Sequence, residues 1–264
     1  MRICPCLLTV FLLSPALFAA ETSLNPASTL PNPGPGREWR LTWNDEFDGK
    51  TIDAAKWEVV GDSPRRDAFW TKSAAALDGE GHLVLYTNKE GDRYVSGAVR
   101  TRGKFEHAFG YWEARCKLPA QPGHWPAFWL MPPGGLPDGI DRGREGTEID
   151  IMEKASLKSV AQHNLHWDGY GAHQKSEGKE VSREGLNEGF HTFALWWTPE
   201  EYVFYIDGEE TWRAKGGGVC QKPLYTKLTE EIGPWAGKIT DATLPDRFVI
   251  DYVRVYDTAE TGKP

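Results

Sequence analysis

Side chains of opposite character alternate over short stretches along most of this chain. The segments FGYWEARCKLP (109–119) and VAQHNLHW (160–167) show this period, and Gly, Pro and Asp separate such segments. Successive side chains of a β-strand point to opposite faces, so the period is typical of strands with one buried face. Helical periodicity is weak. The pattern therefore predicts an all-β fold of the sandwich or jelly-roll kind.

Residues 148–153 (EIDIME) place three carboxylates among large apolar residues. In a regular strand Glu148 and Asp150 share one face, and the isoleucines point to the other face. Glu153 is out of phase with the first two acids. We predict a β-bulge at or near Met152, because one extra residue returns the Glu153 side chain to the face of the other acids.

This bulge brings the three acids into a catalytic arrangement. The Cα atoms of Glu148 and Glu153 would lie about 13 Å apart, four strand steps of about 3.3 Å. If the two side chains lean together, their carboxyl groups reach about 5 Å, the separation found in retaining glycosidases. With Asp150 between them, one acid should keep its proton near neutral pH, as a general acid must. A solvated acidic edge or a calcium site is the alternative.

The N-terminal region is predicted to be a leader and a linker. Residues 1–20 resemble a secretory signal peptide, with Arg2 before a mostly apolar run that ends in small residues and is too short to span a membrane. Residues 21–37 are rich in Pro, Asn, Gly and Ser, as linkers are. Residues 38–258 form one predicted domain, followed by a tail at 259–264. We expect a secreted or periplasmic protein without membrane attachment after signal removal.

Composition limits the partners. The chain has 38 Asp and Glu against 30 Lys and Arg, a formal net charge of −8. This balance argues against nucleic acid and anionic membranes, and it disfavours heavily sulfated polysaccharides, although a local basic groove is compatible with it. The twelve Trp residues suit stacking on sugar rings or packing in the core.

Two cysteines, Cys116 and Cys220, remain after signal removal. An oxidising compartment permits a disulfide between them, but their spacing gives no geometry. We slightly prefer two buried free thiols.

The pattern Glu148-x-Asp150-x-x-Glu153 resembles the catalytic strand of glycoside hydrolase family 16, in its laminarinase- and agarase-like branches. The tighter lichenase pattern is Glu-x-Asp-x-Glu. Further matches are WNDEFDG (43–49), GHWPAFWLM (123–131) and DYVRVY (251–256). The resemblance implies a β-jelly-roll sandwich of two antiparallel sheets with a substrate cleft on the concave face.

The resemblance also implies roles for individual residues. Glu148 would be the nucleophile, Asp150 its electrostatic helper and Glu153 the general acid/base. The residues that the resemblance implies to bind substrate are Trp125, Trp129, His166, Trp235 and Arg100. Alternation along 160–167 places the polar side chains of Gln162 and Asn164 on the same face as His166, and such a face suits a sugar groove. A surface salt bridge for Arg100, a structural role for His166 and a core position for one Trp are the alternatives.

No cofactor is implied for catalysis. In several relatives a calcium ion lies on the convex side, and Glu46 and Asp251 are the matching positions here.

The leading hypothesis is a secreted endo-β-glycanase that hydrolyses β-1,3- or mixed β-1,3/1,4-glucan with retention. β-Galactans of the agarose and carrageenan type are the next substrates to consider. A transglycosylase and a non-catalytic lectin are alternative functions of the same scaffold. The presence of both glutamates favours an enzyme. We expect a monomer whose partner is a polysaccharide.

Overall fold

The computed structural model describes residues 30–155 and 157–262. The predicted signal peptide, residues 21–29 of the predicted linker and the last two residues of the tail lie outside the described residues. The predictions for these segments therefore stay predictions.

The described residues form nineteen β-strands and five short 3₁₀ helices. In chain order the strands are β1 (Arg37–Asp45), β2 (Glu58–Val60), β3 (Ser63–Arg65), β4 (Ala68–Trp70), β5 (Ala75–Leu77), β6 (Leu83–Glu90), β7 (Arg93–Ser96), β8 (Ala98–Arg100), β9 (Glu106–His107), β10 (Gly110–Lys117), β11 (Trp125–Met131), β12 (Glu148–Glu153), β13 (Val160–Trp167), β14 (Lys175–Ser182), β15 (His191–Trp197), β16 (Tyr202–Ile206), β17 (Glu209–Ala214), β18 (Leu224–Glu231) and β19 (Asp246–Glu260). The 3₁₀ helices are Lys72–Ala74, Gly143–Glu145, Gly216–Gly218, Pro234–Ala236 and Ile239–Asp241.

The strands form two sheets. The larger sheet has the order β17-β16-β15-β10-β19-β6-β7-β4-β3, with β1 also paired to β19 and β5 to β6. The smaller sheet has the order β14-β13-β12-β11-β18-β8-β2, with β9 also paired to β18. The all-β prediction is thus confirmed.

One strand pair departs from the predicted antiparallel arrangement. β4 runs parallel to β7, with Phe69 opposite Val95 and Trp70 opposite Ser96. β4 belongs to the short β3–β4 hairpin, which joins the edge of the larger sheet from an earlier part of the chain. No tight turn links β4 to β7, so chain connectivity does not impose the antiparallel direction.

The first and last strands pair along most of their length. β1 begins at Arg37, the last residue of the predicted linker, and Arg37 lies opposite Glu260, the last residue of β19. The strands therefore extend one residue before the predicted domain boundary and two residues beyond it.

The core lies between the sheets and takes alternate residues from the central strands. On β10, Trp112, Ala114 and Cys116 are fully buried in it. Each large apolar side chain buried in this way contributes about 1.5–3 kcal/mol relative to an exposed one. Cys116 and Cys220 are both buried and free, which confirms the preferred interpretation.

Candidate active site

The three acids of β12 reach one face through the predicted β-bulge. Glu148 lies opposite His166 and Asp150 opposite Asn164 on β13, and the register then shifts so that Glu153 lies opposite Gln162. Three steps along β12 thus match two steps along β13, which is the signature of one inserted residue.

The bulge is anchored from the core side by a histidine that sequence reasoning did not single out. His163 Nδ1 donates a hydrogen bond of 2.7 Å to the backbone carbonyl of Ile151, and its Nε2 lies 2.8 Å from Thr211 Oγ1. Burial lowers the pKa of His163 to about 4, so its ring is neutral at neutral pH. The contact gives a partner to a carbonyl in the segment where the ladder is interrupted.

The acids open onto a cleft of about 370 Å³ on the outer face of the smaller sheet. From β11 the lining takes the side chains that the alternation predicts to share a face: Trp125, Ala127, Trp129 and Met131. The remaining lining residues besides the three acids are Arg65, Arg66, Tyr170, Lys227, Thr229 and Glu231.

All three carboxyl groups are nearly buried, with residue exposures of 9 % for Glu148, 3 % for Asp150 and 9 % for Glu153. Burial raises the pKa of each. It brings that of Glu148 to about 7, where the charge of Glu153 adds to the effect. The charges of Glu153 and Glu148 raise the pKa of Asp150 further. The cluster therefore keeps protons near neutral pH, as the spacing predicts.

Two donors orient the Glu153 carboxyl group. Trp125 Nε1 donates to Oε1 at 2.7 Å, and Asn164 Nδ2 donates to Oε2 at 2.7 Å. On the neighbouring β14, Gly178 makes room for the Asn164 amide, because a Cβ at this position would overlap Asn164 Oδ1. Trp125 and Asn164, both predicted to bind substrate, thus hold the candidate acid/base in place.

Glu148 has a different partner. The Tyr170 hydroxyl donates a hydrogen bond to Glu148 Oε2, and burial together with the charge of Glu148 raises the pKa of Tyr170 well above its usual value. Tyr170 is therefore a neutral hydrogen-bond donor at neutral pH. It lies in a loop after β13, and nothing in its local sequence indicates a place beside a buried carboxylate.

Asp150 is expected to destabilise the fold at neutral pH, since its pKa is raised by burial. Below its unfolded pKa of about 3.9, both states bind the proton and the group has no effect. As pH rises, the unfolded chain ionises more readily than the folded one. We expect Asp150→Asn to raise Tm by about 2–4 °C near pH 7 and by almost nothing near pH 4. Calorimetry across this pH range measures both values.

Asp78 provides the control. Burial raises its pKa, but hydrogen bonds from Glu80 N–H and from His82 outweigh burial and lower it overall. Its ionised form therefore stabilises the fold above the unfolded pKa, and Asp78→Asn should lower Tm at pH 7. Equal Tm shifts in the two variants would contradict the conclusion that ionised Asp150 destabilises the fold.

Two further residues predicted to bind substrate, His166 and Trp235, lie near the acids and Trp125. His166 Nε2 lies 3.4 Å from Asp150 Oδ2, and burial lowers its pKa. Trp235 is 42 % exposed and packs its ring edge-to-face against Trp125, with ring centroids 4.6 Å apart. Both residues lie beside the cleft.

Two residues predicted to bind substrate, Gln162 and Arg100, instead bind glutamates on neighbouring strands. Gln162 Nε2 donates to Glu180 Oε1 on β14 at 2.9 Å, and Gln162 does not line the cleft. Arg100 makes a two-pronged ion pair with Glu58 on the neighbouring β2, both bonds 2.8 Å long. For Arg100 the salt-bridge alternative is therefore the observed one. Each side chain donates hydrogen bonds to a glutamate on the adjacent strand of its sheet. Alternation of polar and apolar residues does not predict such a partner.

The predicted calcium positions carry ion pairs. Arg254 donates to both carboxyl oxygens of Glu46, at 2.8 and 2.7 Å. Asp251 pairs with Arg115 at 2.6 Å. Because both oxygens of Glu46 face a guanidinium, the two side chains do not fit a calcium site.

Two sets of three potential metal ligands occur among the described residues: Asp78, Glu80 and His82, and Glu148, Asp150 and His166. In the first set Asp78 already accepts hydrogen bonds from its two neighbours. The second set coincides with the acid cluster. Within the described ranges, no helix has the length and apolar composition needed to cross a membrane.

Comparison with known families places this cleft in context. Residues 63–254, well over half of the chain, match the family described as glycosyl hydrolases family 16. The chain belongs to glycosyl hydrolase family 16. The acid strand and the cleft lie within the matched segment, so the family 16 domain carries both.

Individual relatives of this family 16 domain act on different sugars. The chain is 30 % identical to a keratan-sulfate endo-1,4-β-galactosidase from Sphingobacterium multivorum, with 90 % of this chain and 58 % of that protein covered. It is 27 % identical to a β-glucanase from Rhodothermus marinus, with 96 % and 95 % covered. The structure of a laminarinase from Flavobacterium sp. UMI-01 superposes with a TM-score of 0.70 at 28 % identity, with 83 % and 100 % covered.

Proposed function

We propose that this protein is an endo-β-glycanase that cleaves a polysaccharide with retention of anomeric configuration. The alignment of Glu148, Asp150 and Glu153 on one face of a bulged strand, inside a Trp-lined cleft, carries this proposal. A cleft on a sheet face suits binding in the middle of a long chain. The burial of the acids supplies the raised pKa values that acid catalysis requires.

The mechanism follows from the partners of the two glutamates. Glu148 attacks the anomeric carbon while Glu153 gives its proton to the leaving oxygen. Glu153 then takes a proton from water, which releases the sugar from Glu148. Trp125 and Asn164 hold Glu153 in position through both steps. Asp150 limits the build-up of charge on Glu148, because the adjacent acids share protons.

β-1,3-Glucan or mixed β-1,3/1,4-glucan is the proposed substrate class. The similarity to a β-glucanase over nearly the whole of both chains supports it, as does the similarity to a laminarinase structure. Trp125 and Trp129 are separated by the small Ala127 on one strand face and offer indole surfaces for sugar rings.

A β-galactan is the second candidate. The similarity to a keratan-sulfate endo-1,4-β-galactosidase supports it.

A substrate screen with product analysis tests the proposal. Purified protein is incubated with laminarin, lichenan, agarose, carrageenan, galactan and keratan sulfate, and new reducing ends are measured. Proton NMR during the first turnovers reports the anomer formed. We expect intermediate-sized oligosaccharides of the β-anomer from one backbone class. An α-anomer as first product would contradict retention, and rearranged longer oligosaccharides would indicate a transglycosylase.

We include export in this proposal, because the first twenty residues have the pattern of a secretory signal. We also propose a monomer, since a single chain supplies every cleft residue named above.

A further inference from the structure

We propose that the cleft contains a subsite for a negatively charged substituent of the glycan, built by Arg65, Arg66 and Lys227. This inference deepens the proposed glycanase function and rests on it. It concerns the substituent on the sugar and is independent of whether the backbone is a glucan or a galactan.

Two of the cations share a single carboxylate. Arg65 Nη2 lies 2.6 Å from Glu231 Oε1, and Arg66 Nε donates to Glu231 Oε2. Glu231 is only 4 % exposed, whereas the arginine side chains are 34 % and 41 % exposed. One negative charge thus balances two positive ones. Each guanidinium has five N–H donors, so donors remain that can face the cleft.

The third cation has no carboxylate at ion-pair distance among the described residues. The Lys227 ammonium lies 3.6 Å from the centre of the Trp129 ring and 5.5 Å from that of Trp70. Burial lowers the pKa of Lys227 to about 7; the charge of Arg65 lowers it as well, and the charges of Glu231 and Glu148 oppose this. The ammonium is buried and, within the described part of the chain, has no carboxylate at hydrogen-bond distance, so its charged form is costly. An incoming anion would remove that cost.

The strand order places Lys227, and the Glu231 that holds the two arginines, at a defined distance from the acids. Trp129 on β11 lies opposite Asp150 on one side and opposite Lys227 of β18 on the other. Likewise, Trp125 lies opposite Glu231. The β18 row is therefore two strand spacings, about 9–10 Å, from the acid row. A sugar ring over the Trp row would turn one edge to the acids and the other to the cations.

The chemistry of the subsite favours an oxyanion. Guanidinium groups bind planar or tetrahedral oxyanions through charge-assisted hydrogen bonds, and the ammonium adds a point charge. A sulfate ester and a uronate carboxylate share this chemistry. A neutral glucan or galactan presents no group of this kind.

Binding measurements with matched ligands test the inference. The Glu148→Gln variant is used, so that affinity is measured without cleavage. The ligands are laminarin, sulfated laminarin, carboxymethyl laminarin, keratan sulfate and chemically desulfated keratan, each titrated by calorimetry at 50 and 500 mM NaCl. We expect a charged ligand to bind about tenfold more tightly than its uncharged parent at low salt, with a smaller ratio at high salt. Comparison of the sulfated and carboxymethyl ligands distinguishes the two oxyanions.

Variants then assign the preference to the proposed subsite. Arg65→Gln and Lys227→Met, each combined with Glu148→Gln, should reduce the preference for the charged ligand over its uncharged parent to less than about threefold. Arg213→Gln is the matched control, because Arg213 is exposed on β17 of the other sheet and pairs with Glu201 and Glu210. If Lys227→Met does not fold, the Arg65→Gln variant, at a half-buried hairpin residue, still tests the inference.

Equal binding of charged and uncharged ligands would overturn the inference, as would a preference that survives both substitutions. Hydrolysis of laminarin by the wild-type chain, without any charge preference, would overturn the subsite alone. Charge-dependent binding without hydrolysis of any glycan would support the subsite and contradict the proposed catalytic function.

Discussion

Glu148→Gln is expected to lower kcat for polysaccharide hydrolysis by at least about 10⁴-fold. The amide keeps the shape of the side chain and can still accept the hydrogen bond from Tyr170, but its oxygen is too weak a nucleophile to attack the anomeric carbon. Binding should remain within about threefold of wild type, because the indole rings and the Glu153 contacts are unchanged. Reducing-end assays and calorimetry measure the two quantities.

Glu200→Gln is a suitable control for this loss. Glu200 is exposed in the turn between β15 and β16, far along the chain from the acid strand. Its variant should retain wild-type activity. If Glu148→Gln kept more than about a tenth of the wild-type rate, another residue would have to be the nucleophile and the proposed mechanism would be wrong.

Glu153→Gln is expected to lower kcat on polysaccharide by about 10²–10⁴-fold, because proton transfer to the leaving oxygen is lost. The loss in the first step should be much smaller with an aryl glycoside whose leaving group needs no protonation. Breakdown of the glycosyl-enzyme then becomes slow, and added azide should restore turnover by replacing the activated water. The alkaline limb of the pH–rate profile should also disappear, since the group that must stay protonated is absent.

Glu231→Gln is the matched comparison, because Glu231 is also a buried cleft carboxylate but pairs with Arg65 and Arg66. Its variant should lose similar activity on both kinds of substrate and should not respond to azide. A Glu153→Gln variant that behaved in the same way would show that Glu153 has a structural role, and a different acid would have to be sought.

The sequence predicts the acid strand well because the relevant constraint is local. Pairing along a strand has a period of two, and buried isoleucines fix which face is inside. An acid that is out of phase with its neighbours must therefore be brought back by an inserted residue, which the register at Glu153 confirms. The same reasoning places Trp125 and Trp129 on the cleft face of β11.

The rest of the site depends on contacts between distant segments. Tyr170 reaches Glu148 from a loop, and Arg65 and Arg66 come from the β3–β4 hairpin and its turn. Lys227 lies on the cleft face of β18 in a segment with mixed polarity. In the sequence, the adjacent pair Arg65-Arg66 is the feature that indicates local positive charge. The acidic net charge of the whole chain gives no indication of it. Conversely, Gln162 and Arg100 have the predicted strand positions, but their side chains bind neighbouring strands.

The interior accommodates the inserted residue of the acid strand. Ile151 and Met152 are both fully buried, while the acids occupy every second rung opposite β13. Deleting Ile151 would shorten the motif to Glu-x-Asp-x-Glu and leave each acid with its present cross-strand partner. The long and short forms of the motif thus present the three acids at the same cross-strand positions. The two forms differ in the number of apolar side chains that the strand packs against the opposite sheet. Deletion of one codon, together with a substitution that fills the space left in the core, would convert the long form into the short one.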